Sequence, residues 1–246
     1  MVKGTGNSNK EGTVKSLKKC GFFITGTDTD IGKTYVSRYL ADAFSNHITV
    51  TYFKPVQTGC TSDREGRLTA ADFDYVMKGK AIQTSSYENH VPYRFKSACS
   101  PHLAASSEGT KISIEFIHRC LESITRERTL VLAEGAGGLF VPLDESNFML
   151  DLMKTLEYPV ILVTPPRLGT LNHTFLSLSV LKNAHIPIAG VIFNNPTDMA
   201  EDYIYTDNLK TIKNYVDPVS FLKVKYSAPP DHTTEEFCHE IAREHF

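Results

Sequence analysis

Short apolar runs alternate with longer amphipathic segments along most of this chain. The runs are almost continuously apolar, as expected for strands covered on both faces, and they lie at residues 21–25, 48–53, 129–135, 159–164 and 188–195. Strands of this kind, separated by helical segments, are typical of a parallel sheet with helices packed on its two sides. The pattern therefore predicts an α/β fold with a doubly wound, mostly parallel sheet in a single domain.

Three of the segments between the runs repeat apolar residues at helical spacing. Their apolar stripes are Val36, Tyr39, Leu40, Ala43 and Phe44; Ile114, Ile117, Leu121 and Ile124; and, in a segment from about Leu171 to Ala184, Phe175, Leu178 and Leu181. We expect each stripe to face the sheet. Because ligands bind at the carboxyl ends of parallel strands, the residues after each run are the first candidates for a functional site.

The composition is that of a globular protein whose partners are small molecules. The chain has 246 residues, of which 41% are hydrophobic and 22% charged, and its formal net charge is -2. Such a charge gives no field that would attract a nucleic acid or an anionic membrane, and no stretch approaches the ~20 apolar residues of a spanning helix. We expect neither nucleic acid nor membrane as a partner.

The N-terminal segment and the cysteines favour a cytoplasmic location. Residues 1–19 contain only isolated aliphatic residues among Gly, Ser, Thr, Asn and Lys, so we expect a disordered N-terminal extension followed by one domain over residues 20–246. The extension lacks the apolar middle region of a secretory signal. The five cysteines form no CxxC pair, which fits a reducing compartment better than a disulfide framework.

The first apolar run leads directly into a glycine loop. Residues 26–34 read GTDTDIGKT, and the first amphipathic segment follows, which gives the order strand, loop, helix. The backbone N–H groups of such a loop bind phosphate, Lys33 would neutralise the β- and γ-phosphates, and the Thr34 hydroxyl would hold Mg²⁺. Thr27 occupies the usual position of the first glycine. The pattern predicts a P-loop NTPase with a Rossmann-like sheet.

Two carboxylates are candidates for the remaining magnesium ligands. Glu134 ends the run TLVLA, and the glycines behind it, at 135, 137 and 138, allow a ligand to approach the backbone closely. Asp72 lies near the start of a predicted helix, where a capping role and a metal-binding role fit its position equally well. From the residues alone, Glu134 is the stronger candidate.

A lysine ends the second apolar run. Lys54 lies in YFKPVQTG (52–59), where a charged side chain has no packing purpose, and Pro55 stiffens the turn that follows. Because the carboxyl ends of parallel strands share one edge, this turn would direct the ammonium group into the same crevice as the glycine loop. Lys54 is therefore a candidate substrate contact, with Thr58 and Gly59 as candidate hydrogen-bond partners.

A series of motifs resembles one enzyme family. In chain order the motifs are GTDTDIGKT, FKPVQTG, SPHLAA, EGAGGLFVPL, LGTLNH and AGVIFNN. Over about residues 20–195 this series is similar to the dethiobiotin synthetases, ATP-dependent ligases of biotin biosynthesis. The resemblance implies a homodimer with its active site at the subunit interface, Mg²⁺ as cofactor and ATP as co-substrate. The reaction it implies converts 7,8-diaminononanoate, CO₂ and MgATP into dethiobiotin, ADP and phosphate, through a carbamate and a carbamic-phosphoric anhydride.

The resemblance also implies roles for individual residues. Its catalytic lysines correspond to Lys33 and Lys54. Its metal ligands correspond to Thr34, Asp72 and Glu134, with Asp74 as the alternative to Asp72. Nucleotide contacts are expected at Asp30, Ile31, Gly32, Lys33, Thr34, Tyr35, Asp72, Glu134, Gly135, Ala136, Gly137, Asn194 and Asn195. Substrate contacts are expected at Thr29, Lys54, Thr58 and Gly137.

The chain departs from the family pattern at the end that would bind the base. Asn194 corresponds to the residue that contacts the adenine edge, but FLKVKYSAPP (221–230) replaces the usual turn over the base. The pattern therefore leaves the base selectivity open. Arg167 stands where a lysine is common, which keeps the charge but changes the hydrogen-bond geometry.

Two other classes of protein share the predicted fold. Partition and septum-positioning ATPases carry an additional lysine early in the phosphate loop, where this chain has Thr27 and Asp28, and their membrane-binding members end in a basic helix, whereas residues 233–246 are acid-rich. Cobyrinate-type amidotransferases append a glutaminase domain, for which the segment after residue 195 is too short. Both remain alternatives to the synthetase, and diamine-dependent ADP release would separate the three.

Overall fold

The structure is a computed structural model that describes residues 20–80, 87–126 and 128–246. The predicted N-terminal extension, residues 1–19, lies outside this range. The strands are β1 (Gly21–Gly26), β2 (Thr49–Phe53), β3 (Val56–Gln57), β4 (Thr61–Ser62), β5 (Leu68–Thr69), β6 (Tyr93–Arg94), β7 (Thr129–Glu134), β8 (Val160–Thr164), β9 (Ile188–Asn194) and β10 (Ser220–Val224). The helices are α1 (Lys33–Phe44), α2 (Ala71–Met77), α3 (Tyr87–His90), α4 (Pro101–Ser107), α5 (Ile114–Ile124), α6 (Met149–Leu156), α7 (Thr170–Asn183), α8 (Tyr203–Val216) and α9 (His232–His245). Within the described ranges, no helix has the length and apolar character needed to cross a bilayer.

Six strands form the central sheet in the order β10-β9-β8-β1-β7-β2, and every neighbouring pair is parallel. Strand β1 lies between β7 and β8, with Ile24 opposite Glu134 on one side and Ile161 on the other. The chain adds β2 and β7 on one side of β1 and then β8, β9 and β10 on the other, so the strand order reverses beside β1. Ligands of open α/β sheets bind at the carboxyl edge at such a point.

Alternate residues of the strands pack against helices on opposite faces of the sheet. Phe22 and Ile24 belong to a cluster with α1 and α9, whereas Phe23 belongs to a second cluster with α5 and α6. A third cluster packs α7 and α8 on β8 and β9. Burial on both faces explains why these strands are continuous apolar runs. The predicted α/β fold with a doubly wound, mostly parallel sheet is confirmed.

The predicted strands and helices are present, and one strand of the central sheet was not predicted. Each apolar run coincides with a strand of the central sheet to within one residue at either end, and the apolar stripes face the core on α1, α5 and α7, with only Ile114 and Phe175 half-buried. No pattern in the sequence indicated β10, because its residues alternate between buried and half-buried positions at the edge of the sheet. Part of the segment 221–230 is therefore a strand.

Candidate functional site

The loop between β1 and α1 is shaped by a glycine that packs against β9. Gly32 has a φ angle of 83°, in the left-handed region, and a Cβ atom there would lie 2.3 Å from the amide nitrogen of Asn194. That nitrogen donates to the carbonyl oxygen of Ile31 at 2.8 Å. Helix α1 begins at the next residue, Lys33, so its positive dipole end faces the space that the loop surrounds.

Lys33 folds back over this loop. Its ammonium group donates to the carbonyl oxygen of Asp28 at 2.7 Å, and the residue is only 7% exposed. Burial lowers the pKa of Lys33 to about 8, and the nearby Glu134 carboxylate opposes only part of this effect. The Asp28 carboxylate on the same loop forms an ion pair with Arg167, which links the loop to the segment after β8.

The carboxylate of Glu134 is fully buried at the end of β7 and accepts four hydrogen bonds. Oε1 accepts from Thr34 Oγ1 at 2.9 Å and from Lys54 Nζ at 2.7 Å, whereas Oε2 accepts from Ser37 Oγ at 2.6 Å and from Tyr52 OH at 2.8 Å. Burial alone would raise the pKa of Glu134, but Lys54 and the donating hydroxyls lower it below its ordinary value. The residue is therefore an ionised acid in the protein interior.

Lys54 lies between two carboxylates. Its Nζ atom is 2.7 Å from Glu134 Oε1 and 2.8 Å from Asp72 Oδ2, and the residue is 4% exposed. Burial alone would lower the pKa of Lys54, but the two carboxylates outweigh it and raise that pKa. Asp72 is in the first turn of α2, whose N-cap is Ala70, so the structure does not place Asp72 at the capping position.

These groups line one cavity of about 720 Å³ at the carboxyl edge of the sheet. Its predicted lining residues are Thr29, Asp30, Gly32, Lys33, Thr34, Tyr35, Lys54, Thr58, Asp72, Glu134, Ala136, Gly137 and Asn195. The predicted residues that do not line it are Ile31, Gly59, Gly135 and Asn194. Asn194 lies beneath the loop, where its amide nitrogen contacts Ile31. Asp74 also lies away from the cavity and accepts a hydrogen bond from Tyr87 at 3.1 Å. The roles assigned to all these residues remain predictions.

Several residues at the cavity were not predicted from the sequence. They are Val56, Gln57, Tyr75, Pro196, Thr197, Tyr226 and Ser227. Gln57 is 7% exposed and belongs to the motif FKPVQTG, so its place in that motif could have identified it as a cavity residue. Tyr226 and Ser227 reach the cavity because β10 precedes them, and that strand carries no clear signal in the sequence. Ser37 and Tyr52, which contact Glu134, were also missed.

Comparison with known proteins gives matches over most of the chain. A family described as an AAA domain matches residues 20–225. An ATP-dependent dethiobiotin synthetase of Fusobacterium nucleatum is 40% identical over 207 residues, which cover 81% of this chain and 91% of the relative. A protein of the same name from Bacillus subtilis is 34% identical over 183 residues, which cover 74% of this chain and 77% of the relative.

A solved structure shares the fold at low sequence identity. A plasmid partition protein of Borrelia burgdorferi has a TM-score of 0.55 and 14% identity, and the match covers 92% of this chain and 97% of that one. At this identity the likeness concerns the fold alone, and it confirms the predicted P-loop NTPase architecture. The identity to the two synthetases, by contrast, is 34–40% and covers 74–81% of this chain and 77–91% of the relatives. This chain belongs to the family of ATP-dependent dethiobiotin synthetases.

Proposed function

We propose that this protein is a dethiobiotin synthetase that carboxylates 7,8-diaminononanoate and closes its ureido ring at the expense of ATP. The observation that carries the proposal is the pair of buried lysines, Lys33 and Lys54, which line one cavity together with a phosphate loop and two carboxylates. A reaction between a carbamate anion and a triphosphate gathers negative charge at one place. Positioned cations in a buried site stabilise such charge.

The phosphate loop is the proposed site of the ATP phosphates. Lys33 and the N-terminus of α1 supply the positive charge, and the part of the cavity lined by Tyr35, Asn195 and Tyr226 would take the base. Asn194 is the predicted adenine contact, and its Oδ1 atom is buried with no hydrogen-bond partner among the described residues. Because this side chain lies outside the cavity lining, its contact with the base stays a prediction.

The side chains around Glu134 fit a magnesium ion. Thr34 contributes a hydroxyl, and Asp72 and Glu134 contribute carboxylates, which are the hard oxygen donors that Mg²⁺ prefers beside phosphate oxygens and water. The described residues contain no cluster of three or more His, Cys, Asp or Glu side chains that would hold a metal by itself. When bound, the ion would neutralise charge on the β- and γ-phosphates.

The proposed chemistry needs no protein nucleophile. One amine of the diamine attacks CO₂ and loses a proton, which forms a carbamate; a carbamate oxygen then attacks the γ-phosphorus while the bond to ADP breaks. The second amine attacks the carbonyl carbon and loses a proton, the ring closes, and phosphate leaves. Lys54 and Lys33 would hold the carbamate in line with the phosphate, with Thr29, Thr58 and Gly137 around the diamine.

Exposed apolar side chains around Phe140 support the proposed homodimer. Phe140 is 58% exposed and packs edge-on against Phe148, which is 38% exposed, at 5.7 Å between ring centroids. Leu103 on α4 is 52% exposed. Helix α4 contacts the loop that carries Phe140 through a hydrogen bond from His102 N to Pro142 O at 3.3 Å. Exposed apolar patches of this kind commonly bind a partner. We propose a second copy as that partner and the cytoplasm as the location.

Incubation of the purified protein with ATP, bicarbonate and 7,8-diaminononanoate tests the function. We expect ADP release that depends on the diamine, together with a product that has the mass of dethiobiotin. ADP release at the same rate with and without the diamine would contradict the synthetase and favour a switch ATPase.

A further inference from the structure

The two oxygens of the Glu134 carboxylate have different surroundings. The donors to Oε1 are Thr34 and Lys54, both of which line the cavity, whereas the donors to Oε2 are Ser37 and Tyr52, which lie behind it. Oε1 therefore faces the ligand, and its partners can be exchanged when a ligand binds. Oε2 faces the protein interior, and its partners cannot be reached from the cavity.

The two interior donors are held firmly by packing. Ser37 and Tyr52 are both 0% exposed, and they lie on different elements, α1 and β2. The ring of Tyr52 packs against Phe73 at 6.1 Å between centroids. Because both side chains are fully buried in a close-packed interior, we expect the hydroxyl groups to approach Oε2 from fixed directions. Two charge-assisted hydrogen bonds from fixed donors determine the orientation of the whole carboxylate.

We propose that Ser37 and Tyr52 are positioning residues for Glu134. They hold Oε2 so that Oε1 is presented to the metal–nucleotide complex, and they do so without contacting the ligand. Removal of either hydroxyl leaves a buried carboxylate oxygen short of one donor and allows the group to turn. This inference rests on the proposed function, because it concerns the site in which that function places MgATP.

Calorimetric titration with ATP, once with magnesium and once with a chelator, tests the proposal. We expect Tyr52→Phe and Ser37→Ala each to weaken binding of MgATP by about tenfold or more while binding of metal-free ATP changes by less than about twofold. A purely structural role would weaken both affinities alike. The ratio of the two affinities is therefore the decisive quantity.

Tyr39→Phe is a matched control. Tyr39 is also a buried tyrosine, but its hydroxyl bonds with Thr234 Oγ1 at 2.7 Å instead of Glu134. We expect the wild-type ratio of affinities in this variant. In a Glu134→Gln background, we expect Tyr52→Phe to cause no further change in that ratio, since the carboxylate it orients is absent.

Two results would overturn the positioning role. The first is a ratio of MgATP affinity to metal-free ATP affinity that stays at its wild-type value in Tyr52→Phe and Ser37→Ala, provided that both variants unfold in a normal thermal transition. The second is an equal loss of affinity with and without magnesium. If Tyr52→Phe does not fold, the ratio in Ser37→Ala decides. A wild-type protein that binds no MgATP at all would contradict the proposed function instead, so the two failures are distinguishable.

Discussion

At the scale of single residues, the phosphate loop depends on the absence of a side chain at Gly32. The left-handed backbone disfavours a Cβ atom there, and the contact with Asn194 leaves no space for one. Gly66 offers a comparison, because its φ angle of 79° is similar but nothing lies within 4 Å of its missing Cβ atom. Alanine variants at the two positions therefore separate the energetic cost of the left-handed backbone from the cost of the clash with Asn194.

We predict that Gly32→Ala lowers turnover by about a hundredfold, because the loop must shift and misplace the phosphates. Gly66→Ala carries the same left-handed strain, so it is expected to lose about 1 kcal/mol of unfolding free energy and no activity. Steady-state kinetics and urea unfolding of both variants check this. Equal turnover in the two variants would contradict the importance of the clash.

Lys54 supports the second prediction at this scale. We expect Lys54→Gln to abolish turnover while ATP binding stays largely intact, and to cost about 3–5 kcal/mol of unfolding free energy, because two carboxylates lose their buried counter-ion. Lys80→Gln is the control, since Lys80 pairs with Asp42 at 2.6 Å away from the cavity. Kinetics, calorimetry and urea unfolding give the three quantities, and normal turnover in Lys54→Gln would remove Lys54 from the mechanism.

The sequence predicts cavity residues that stand in continuous motifs and misses those defined by distant contacts. Lys33, Lys54 and Glu134 are polar groups at the ends of apolar runs, which is a local signal. Ser37 and Tyr52 lie inside an apolar helix face and an apolar strand, so they resemble ordinary core residues. Their significance lies in contacts with Glu134, which is 97 and 82 residues away along the chain.

At the scale of elements, the short helix α3 fixes the turn that carries Lys54. The backbone N–H of Lys54 donates to the carbonyl oxygen of His90 at 2.9 Å, and Nδ1 of His90 lies 2.9 Å from the carbonyl oxygen of Tyr52. Burial lowers the pKa of His90, and the hydrogen bond to Tyr52 opposes only part of the effect. The end of β2 is thus docked on a neutral, buried histidine.

This docking makes the stability of the fold depend on pH. Because the folded-state pKa of His90 is below its ordinary value, the unfolded chain takes up a proton first, so stability is present above about pH 6.5 and falls as the pH drops through that value. We predict that His90→Asn, which keeps a donor for Tyr52 but cannot be protonated, flattens this decline.

Urea unfolding between about pH 7.5 and 5.5 measures the decline. His47→Asn is the control, because His47 is exposed and its replacement is expected to leave the wild-type profile unchanged. A wild-type profile in His90→Asn would show that another group is responsible.

Elements buried on both faces were predictable, and the marginal ones were not. Strands β1, β7 and β8 lie inside the sheet, and their continuous apolar runs predict buried strands without an alternative element. Strand β10 lies at the edge and alternates, so it resembles a loop with scattered apolar residues. Asp72 was ambiguous for a related reason, because both of its interpretations place it near a helix start. The structure separates them through the N-cap, which is Ala70, and through the contact of Asp72 with Lys54.

At the scale of the whole molecule, the apolar patch of Phe140, Phe148 and Leu103 supports assembly. We predict that Phe140→Asp converts the protein into a monomer, because a buried, unpaired charge at the interface costs several kcal/mol. Light scattering after gel filtration measures the mass, and Tyr203→Asp is the control at another exposed aromatic residue, which is 81% exposed. A wild-type protein that is already monomeric would contradict the proposed dimer.

The ammonium group between Asp72 and Glu134 gives the folded chain a counter-ion of its own. Because this cation is covalently attached, the acids do not depend on a dissolved ion for folding, and we expect a chelator to leave the thermal unfolding temperature unchanged. The attached ammonium group also competes for the two carboxylates at an effective concentration in the millimolar range or above. A free divalent ion therefore binds them less readily until it arrives together with the nucleotide. Magnesium and the nucleotide are therefore expected to bind together.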